Sequence, residues 1–424
     1  MSWSLLVEKK SGDQSDDVPY EITSIFGGMP TVGSYKIHFT RKTILDEFNE
    51  LLPRYKISII RSEDNRKPTA LEELKRIGKD IHDNLPPNVR NTFNFAKSIK
   101  FATNDIRIPW EIMYTGEDFI SLKCSFGINQ MLVENQIFTK KEPQNRKEIR
   151  VLFIVDTIND LPKSRNETKN IQEDLLENNP KIKFKTLTDK KATKKSVQTA
   201  LMKENYDIIH FSTHAKFLES TPEESGITLN DGILRSQEIK NKLEGKSPLL
   251  IFMNACESAR TKDLSYYDSH GKLSGLAMGF IRAGAASFIG TTHKVNDTSA
   301  SEIGFNFYKN LLNKHSIGES LRMAKKEFFD NNSNDLSWSA FTLYGDPDLE
   351  IDFDTDQDVK NEVPILDKKQ DIELDVLEYV EKHNGDWNTL QIARKFDISF
   401  DYAESLYRKH NPKKDGIFGR FGDI

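Results

Sequence analysis

Short apolar runs alternate with longer polar segments of helical period through the middle of the chain. Each apolar run has the length of a strand and is bounded by polar or turn residues, which is typical of buried strands. The alternation of the two kinds of segment indicates an α/β domain with a mainly parallel sheet. The six predicted strands cover residues 150–156, 181–187, 206–213, 247–255, 285–291 and 338–345.

Helical periodicity fills most of the gaps between these strands. The five predicted helices cover residues 166–179, 195–204, 273–282, 299–314 and 318–329. The first of them is expected on the surface. Between the third and fourth strands, residues 225–234 carry an Asn-Asp-Gly turn flanked by short apolar segments, which predicts a hairpin. We therefore expect a six-stranded, mainly parallel sheet flanked by helices.

Two changes in composition divide the chain. A charged, proline-containing stretch at 139–150 indicates a linker, with a boundary near residue 147. Residues 352–370 gather aspartates and a proline without helical or alternating period, which is typical of an acidic tether. The expected organisation is an N-terminal α+β region at 1–147, an α/β domain at 148–351, an acidic linker at 352–370 and a small helical domain at 371–424.

The two flanking regions leave alternatives open. In the N-terminal region, alternating segments at 34–39 and 55–60 accompany a helix predicted at 69–84, and the region either covers an edge of the sheet or senses a signal. In the C-terminal domain three short helices are predicted, the last two spaced like a helix-turn-helix around residues 397–399. Because the third helix opens with acidic residues that repel phosphates, docking of a protein is favoured over binding of DNA.

Composition and charge exclude several classes of function. A net charge of −5 and a pI of about 6.1 provide no overall basic field for nucleic acid or anionic membranes. There is no run of ~18 apolar residues and no signal-like start, so we expect a cytoplasmic protein without a membrane segment. Two cysteines are too few for a disulfide framework. The histidines show no ligand-like spacing, so neither a metal nor another cofactor is expected.

Candidate chemistry concentrates where two predicted strands end. His214 follows the strand at 206–213, and Cys256 directly follows the strand at 247–255. If these strands are neighbours, both side chains emerge at the carboxyl edge of the sheet, where open α/β sheets bind their ligands. A cysteine has a pKa of about 8.5, so an imidazole that takes its proton makes it a usable nucleophile near neutral pH. The pattern predicts a nucleophile and base pair that works through a thioester.

The alternative for Cys256 is a purely structural role, because free cysteines in apolar strands usually serve as small buried side chains. That alternative is disfavoured by position, since the apolar run stops at residue 255 and polar residues begin directly after the cysteine. Cys124 lies inside an apolar run and is expected to be structural. His210, within its strand, is expected to be structural as well.

Four segments stand in a specific order along the chain. They are YDIIHFSTHAKF, SPLLIFMNACESA, LAMGFIRAGAASFIGTTHKVND and WSAFTLYGDPDL. With these motifs the chain resembles the CHAT family of caspase-like peptidases, whose relatives include separases, metacaspases and gingipains. The resemblance extends over residues 105–351, because the segment at 108–122 is also similar to the stretch that precedes the catalytic half in that family. It implies a caspase-like sheet and a cysteine endopeptidase.

Carried over by position, the resemblance implies that His214 is the base and Cys256 the nucleophile, with no third catalytic residue required. It places the oxyanion donors on the backbone N–H groups of Cys256 and of the residue after the histidine. That residue is Ala215 here instead of the frequent glycine, and its methyl group restricts the loop dihedrals. The family also often carries tryptophan at the position of His293, a change that alters the expected pocket.

The residues that select the substrate are less well defined. Relatives that cut after basic residues often place an aspartate two positions before the nucleophile, where a carboxylate pairs with a substrate arginine or lysine. Here that position is Asn254, so a preference for basic residues is not predicted from it. Two other aspartates could supply a charge that pairs with the substrate: Asp156, at the end of the first strand, and Asp231, in the hairpin turn. The simpler interpretation is that both are solvated loop aspartates without a role in binding. Together with His293 these residues form the candidate pocket.

The predicted function is the cleavage of a protein partner by a regulated cysteine endopeptidase. The resemblance implies a protein activator that docks on the N- or C-terminal region, in a bacterial defence or cell-death system. Two alternatives are a catalytically silent caspase-like scaffold and a DNA-binding regulator that acts through the C-terminal helices. Nucleic acid is the less favoured partner.

Overall fold

The part of the chain that the structure describes ends at Phe353. This structure is a computed structural model, and it describes residues 2–9, 17–26, 29–40, 43–51, 69–105, 108–130, 148–177, 179–216, 218, 224–243, 245–255 and 276–353. The chain divides into two units, Met1–Thr355 and Asp356–Ile424, and every described residue belongs to the first. The segment predicted at 55–60, nearly all of the acidic linker and the C-terminal helices lie outside the described residues.

Strands and helices are numbered in chain order. The strands are β1 (Ser2–Lys9), β2 (Asp17–Phe26), β3 (Met29–Thr40), β4 (Ser98–Thr103), β5 (Ser125–Gln130), β6 (Ile149–Val155), β7 (Ile182–Thr188), β8 (Ile208–Ser212), β9 (Ala215–Lys216), β10 (Gly226–Leu229), β11 (Gly232–Arg235), β12 (Leu250–Asn254), β13 (Ser287–Thr291) and β14 (Phe341–Gly345).
The helices are α1 (43–51), α2 (Ala70–Asp83), α3 (Pro87–Thr92), α4 (Ile120–Lys123), α5 (Pro162–Asn170), α6 (Lys194–Lys203), α7 (Ser236–Leu243), α8 (Leu276–Arg282), α9 (Asp297–Leu312) and α10 (Ile317–Asn331). A π-helical segment, Ile171–Leu176, continues α5. No helix among the described residues is both long and apolar enough to cross a membrane.

The six strands predicted for the middle of the chain lie side by side. Their order is β14-β13-β12-β8-β6-β7, and all neighbours are parallel except β13 and β14. The predicted α/β class with a mainly parallel sheet is therefore confirmed. Every residue of β8 and β12 is buried, which explains why these strands are almost continuously apolar in sequence.

The predicted hairpin belongs to a second, smaller sheet. Strands β10 and β11 are antiparallel and enclose the turn, and β9 pairs with β10 to complete three strands. Gly232, the last residue of the Asn-Asp-Gly sequence, has φ of 140°, a conformation that L side chains rarely adopt. This small sheet begins one residue after His214.

The N-terminal region extends the main sheet. β5 pairs in parallel with β14, and β4, β1, β2 and β3 follow outward, so the complete sheet has eleven strands among the described residues. The edge of the six-stranded part at β14 is thereby covered, as in the first of the two roles considered for this region. The helix predicted at 69–84 is present as α2, with Thr69 as its N-cap in a capping box with Glu72.

Two buried charged side chains join the N-terminal region to the helices beyond it. The ammonium group of Lys325, on α10, donates to Ser121 Oγ at 3.1 Å and to the carbonyl oxygen of Phe341 at 3.0 Å. Burial lowers the pKa of Lys325 to about 8, and the charge of Glu111 opposes that shift. Burial raises the pKa of Glu111, opposed by Lys325 and by a hydrogen bond from Thr342. The junction is therefore specified by charge as well as by apolar packing.

Candidate active site

Strands β8 and β12 bring the predicted catalytic positions to one edge of the sheet. The two strands are parallel neighbours, and Ser212 pairs with Asn254 at their carboxyl ends. His214 and Cys256 each follow the paired residue by two positions. Cys256 lies outside the described residues, and Ala255 before it is buried. The segments that lead to residues 214 and 256 therefore begin at neighbouring positions on the same edge of the sheet.

The backbone around His214 is fixed on both sides. Its carbonyl oxygen accepts the N–H of Thr228 at 2.9 Å, and the hydroxyl of Thr213 lies 2.7 Å from that of Thr157. The next residue, Ala215, opens β9 and pairs within the small sheet. The imidazole itself is 40% exposed. A rigid backbone therefore presents a ring that a substrate can reach.

Asp160 contacts this ring and was missed in the sequence analysis. Both of its carboxylate oxygens lie 3.0 Å from Nε2 of His214, across 54 positions of sequence. Among the described residues, Nδ1 of His214 makes no hydrogen bond. A carboxylate on Nε2 favours the tautomer that carries its proton there, which leaves Nδ1 as the basic nitrogen. The arrangement suits a base that accepts a proton at Nδ1.

The loop that carries Asp160 is held by Asp156. Oδ1 of Asp156 accepts the backbone N–H groups of Asp160 at 2.8 Å and Leu161 at 2.9 Å, and its other oxygen pairs with Arg165. Asp156 and Asn159 have φ of 40° and 61°, which is uncommon for residues other than glycine. Since both oxygens of the buried Asp156 are engaged within the loop, this placement does not favour the pocket role predicted for it.

A fully buried carboxyl group lies beneath the two strand ends. Glu167, on α5, accepts a hydrogen bond from Ser212 Oγ at 2.9 Å and from Asn254 Nδ2 at 3.0 Å. Burial raises the pKa of Glu167 to about 8, and the hydrogen bonds from Ser212 and Asn254 oppose that shift. Around neutral pH the neutral acid therefore predominates. Asn254, 8% exposed, faces this acid beneath the rim, which does not favour its predicted place in a substrate pocket.

His210 and helix α9 enclose the same carboxyl group. Nε2 of His210 lies 3.8 Å from Oε1 of Glu167, and its Nδ1 lies 3.1 Å from the hydroxyl of Tyr308. The ring stacks on Phe252 at 5.2 Å between centroids, and burial lowers the pKa of His210 to about 3. At Gly304 the helix passes so close that a Cβ would lie 2.3 Å from Oε1 of Glu167. His210 is thus a neutral histidine of the core.

The family model of the CHAT domain matches residues 106–346. The chain belongs to the CHAT domain family. This confirms the resemblance noted on the four motifs. No curated protein matches the chain.

Several solved structures share similarity with this CHAT protein. Gingipain R, an Arg-specific cysteine proteinase, is 13% identical over 66% of this chain and 68% of its own, with a TM-score of 0.48. The complex of the pro- and mature domains of Porphyromonas gingivalis RgpB is also 13% identical, over 66% of this chain and 69% of its own, with a TM-score of 0.46. The separase–securin complex of Saccharomyces cerevisiae is 14% identical, with a TM-score of 0.39, and the match covers 72% of this chain but 22% of that one.

The remaining pocket candidates of the CHAT protein are the half-buried His293 and the exposed Asp231. His293 follows β13, so it lies on the opposite side of β12 from His214, and its ring contacts Phe48 of α1 at 6.0 Å between centroids. Asp231 is exposed in the hairpin turn, where it accepts the backbone N–H of Lys194 at 2.7 Å. Within the described ranges, no three His, Cys, Asp or Glu side chains converge as a metal site would require.

Cys124 has neither the exposure nor the low pKa of a reactive thiol. It is buried between α4 and β5, and its Sγ–H donates to the carbonyl oxygen of Ile120 at 3.3 Å. Burial raises the pKa of Cys124 to about 12. Its thiol therefore stays protonated and unreactive under ordinary conditions.

Two residues of the site, Asp160 and Glu167, were not found from sequence. A signal for Asp160 exists, because it closes the loop after β6 at the same edge as His214, where the strand-end argument applies. Glu167 carries no such signal. It lies in a strongly polar segment predicted as a surface helix, and only the packing of α5 against the sheet and α9 shows that this one side chain faces inward.

Proposed function

We propose that this CHAT protein is a cysteine endopeptidase with Cys256 as nucleophile and His214 as base. The observation that carries the proposal is the pairing of Ser212 with Asn254. Because of this pairing, the segments that lead to His214 and to Cys256 begin side by side. Asp160 supports it further, because a carboxylate on Nε2 orients the ring of His214 and leaves Nδ1 free to accept the thiol proton.

In the proposed reaction, Nδ1 of His214 takes the thiol proton and the sulfur of Cys256 attacks the carbonyl carbon of the scissile peptide. The S–C bond forms, the C–N bond breaks, and the imidazolium returns the proton to the departing amine. Water then attacks the thioester with His214 as base, which releases a carboxylic acid and restores the thiol. The backbone N–H groups of Cys256 and Ala215 are the proposed donors to the oxyanion.

The proposed substrate is a protein that reaches this edge of the sheet. Of the four candidate pocket residues, His293 and Asp231 are the ones we propose to contact it, because the first is partly exposed and the second is exposed. Regulation by a protein activator and a role in defence belong to the same proposal, on the ground of family resemblance. A cytoplasmic location belongs to it because two cysteines suit a reducing compartment.

A difference between the two thiols permits a test without a substrate. The native protein is treated with iodoacetamide at pH 6, and alkylation is followed at each cysteine by peptide mass spectrometry. We expect Cys256 to react while Cys124 does not. The rate at Cys256 should fall about tenfold to a hundredfold in His214→Ala, because an unassisted thiol is largely protonated at that pH. His315→Ala, between α9 and α10, is the matched control and should leave the rate unchanged.

Cleavage itself is tested with Cys256→Ala. Wild type and variant are incubated with candidate protein substrates, and new N-termini are identified by labelling of free amines. A discrete fragment that appears with wild type alone is expected. Equal cleavage by both proteins, or alkylation of Cys256 that does not depend on His214, would contradict the proposal.

A further inference from the structure

One buried carboxyl group receives hydrogen bonds from both strands that lead to the catalytic positions. Ser212 precedes His214 by two residues and Asn254 precedes Cys256 by two, and both side chains donate to Glu167. Side chains alternate between the faces of a strand, so Ser212 lies on the same face of β8 as His210, toward α5 and α9. The carboxyl group thus spans the gap between two adjacent strand ends.

We propose that Glu167 is a positioning residue for the catalytic pair, which sets the spacing of the β8 and β12 ends and hence of the His214 and Cys256 loops. This inference rests on the proposed function. Glu167 contacts neither the substrate nor the reacting atoms, and acts through Ser212 and Asn254.

Side chains from three elements and the backbone at Gly304 enclose the carboxyl group of Glu167. Ser212 and His210 face it from β8, Asn254 from β12, and Tyr308 from α9. On the helix side, the absence of a side chain at Gly304 makes room for Oε1. A group enclosed in this way transmits any displacement to its two donors, because neither it nor they can move aside without breaking a hydrogen bond.

The energetic cost of this arrangement also favours a positioning role. Burying a carboxyl group is unfavourable, and an apolar side chain of similar volume fills the same space without that cost. What an apolar side chain lacks is the pair of acceptor oxygens that joins β8 to β12. The contribution specific to Glu167 is therefore geometric, and it should appear in the reactivity of Cys256 more than in the stability of the fold.

Five single variants of the full chain test the proposal through the rate of Cys256 alkylation by iodoacetamide. Glu167→Gln retains an acceptor oxygen and should stay within about threefold of wild type at pH 6. Glu167→Met fills the volume without acceptors and should react about tenfold more slowly, the order expected when a catalytic group is misplaced by a fraction of an ångström. Ser212→Ala and Asn254→Ala should each show part of that loss. Thr168→Val, at a neighbouring buried position whose hydroxyl has no partner among the described residues, should match wild type.

The pH profile separates positioning from a general loss of folding. Above pH 8 the wild-type rate should change relative to that of Glu167→Gln, because the buried carboxyl group ionises and becomes a stronger acceptor for Ser212 and Asn254, whereas the amide cannot ionise. His210 and Tyr308 are the other polar side chains that face the group. At pH 6 the ratio of the two rates should be near one. A ratio that stays constant from pH 6 to pH 9.5 would contradict the raised pKa of Glu167, whereas the positioning role is decided by the rates of Glu167→Met, Ser212→Ala and Asn254→Ala.

The remaining outcomes are also decisive. A folded Glu167→Met with the wild-type rate overturns the inference and leaves the proposed function intact. If Glu167→Met does not fold, the alkylation rates of Ser212→Ala and Asn254→Ala test the inference instead, because each variant removes a donor to Glu167 and leaves the carboxyl group in place. Wild-type rates in both variants would overturn the inference. A wild-type protein without His214-dependent alkylation contradicts the proposed function and, with it, this inference.

Discussion

Nε2 of His214 lies 3.0 Å from both carboxylate oxygens of Asp160. The contact joins the end of β8 to the loop after β6, two strands that are themselves neighbours. His214 and Asp160 are 40% and 50% exposed, so water and salt screen the interaction. The pair is therefore an orienting contact of moderate strength, which leads to the first prediction.

Asp160→Asn should lower the rate of Cys256 alkylation at pH 6 by about tenfold. The amide cannot stabilise an imidazolium, but the loss should remain far below the ~10⁴-fold of a buried triad aspartate, because this pair is exposed. Asp118→Asn, which changes an exposed loop aspartate with no part in the proposed site, is the control and should leave the rate within twofold. A loss that persists unchanged at high salt would contradict the screened interaction.

Gly304→Ala should slow Cys256 alkylation by about fivefold or more. The new Cβ would lie 2.3 Å from Oε1 of Glu167, so the carboxyl group must shift away from its two donors. In a Glu167→Ala background the same change should cause no further loss, because the side chain that the new Cβ would displace is absent. Ser301→Ala, on the same helix, is the control. Independent effects of the two changes would show that Gly304 does not act through Glu167.

The free energy of unfolding of wild type should fall relative to that of Glu167→Gln as the pH rises from about 4.5 to 8. Folding raises the pKa of Glu167 to about 8 from its ordinary value of 4.5, so the folded state holds the proton more tightly. The stability that this proton contributes is complete below pH 4.5 and is lost as the pH rises through 8. The difference in the free energy of unfolding between wild type and Glu167→Gln should change by up to about 1.4 kcal/mol per pH unit between the two pKa values. Urea denaturation at pH 5, 6, 7 and 8 measures it, and parallel curves for the two proteins would contradict the raised pKa.

Lys325→Met should destabilise the protein by about 3–5 kcal/mol, because it leaves buried Glu111 without its opposite charge. The double variant Glu111→Gln with Lys325→Met should lose clearly less than the sum of the single losses. Lys326→Met is a matched control, since its exposed pair with Asp330 contributes ~0.5 kcal/mol or less. Urea denaturation of wild type, the two single variants, the double variant and the control provides the values, and additive losses would argue against coupling across this junction.

Much of the fold could be predicted from the sequence because strands buried on both faces leave a direct signal. β6, β8 and β12 are short apolar runs, and the polar residues after them mark the edge where chemistry was expected. The sequence by itself also determined that Cys124 and Cys256 are different, since one lies within an apolar run and the other directly after one.

Pairing between distant segments was decided by the tertiary structure alone. The extension of the sheet by β5, β4 and the strands beyond them depends on backbone hydrogen bonds, which have no local pattern in the side chains. The contact of Asp160 with His214 depends on a loop held by Asp156 in an uncommon backbone conformation. The inward direction of Glu167 depends on the close approach of α9 at Gly304. Local periodicity determines which residues form strands and helices, whereas packing between elements decides which polar side chains meet beneath the strand ends.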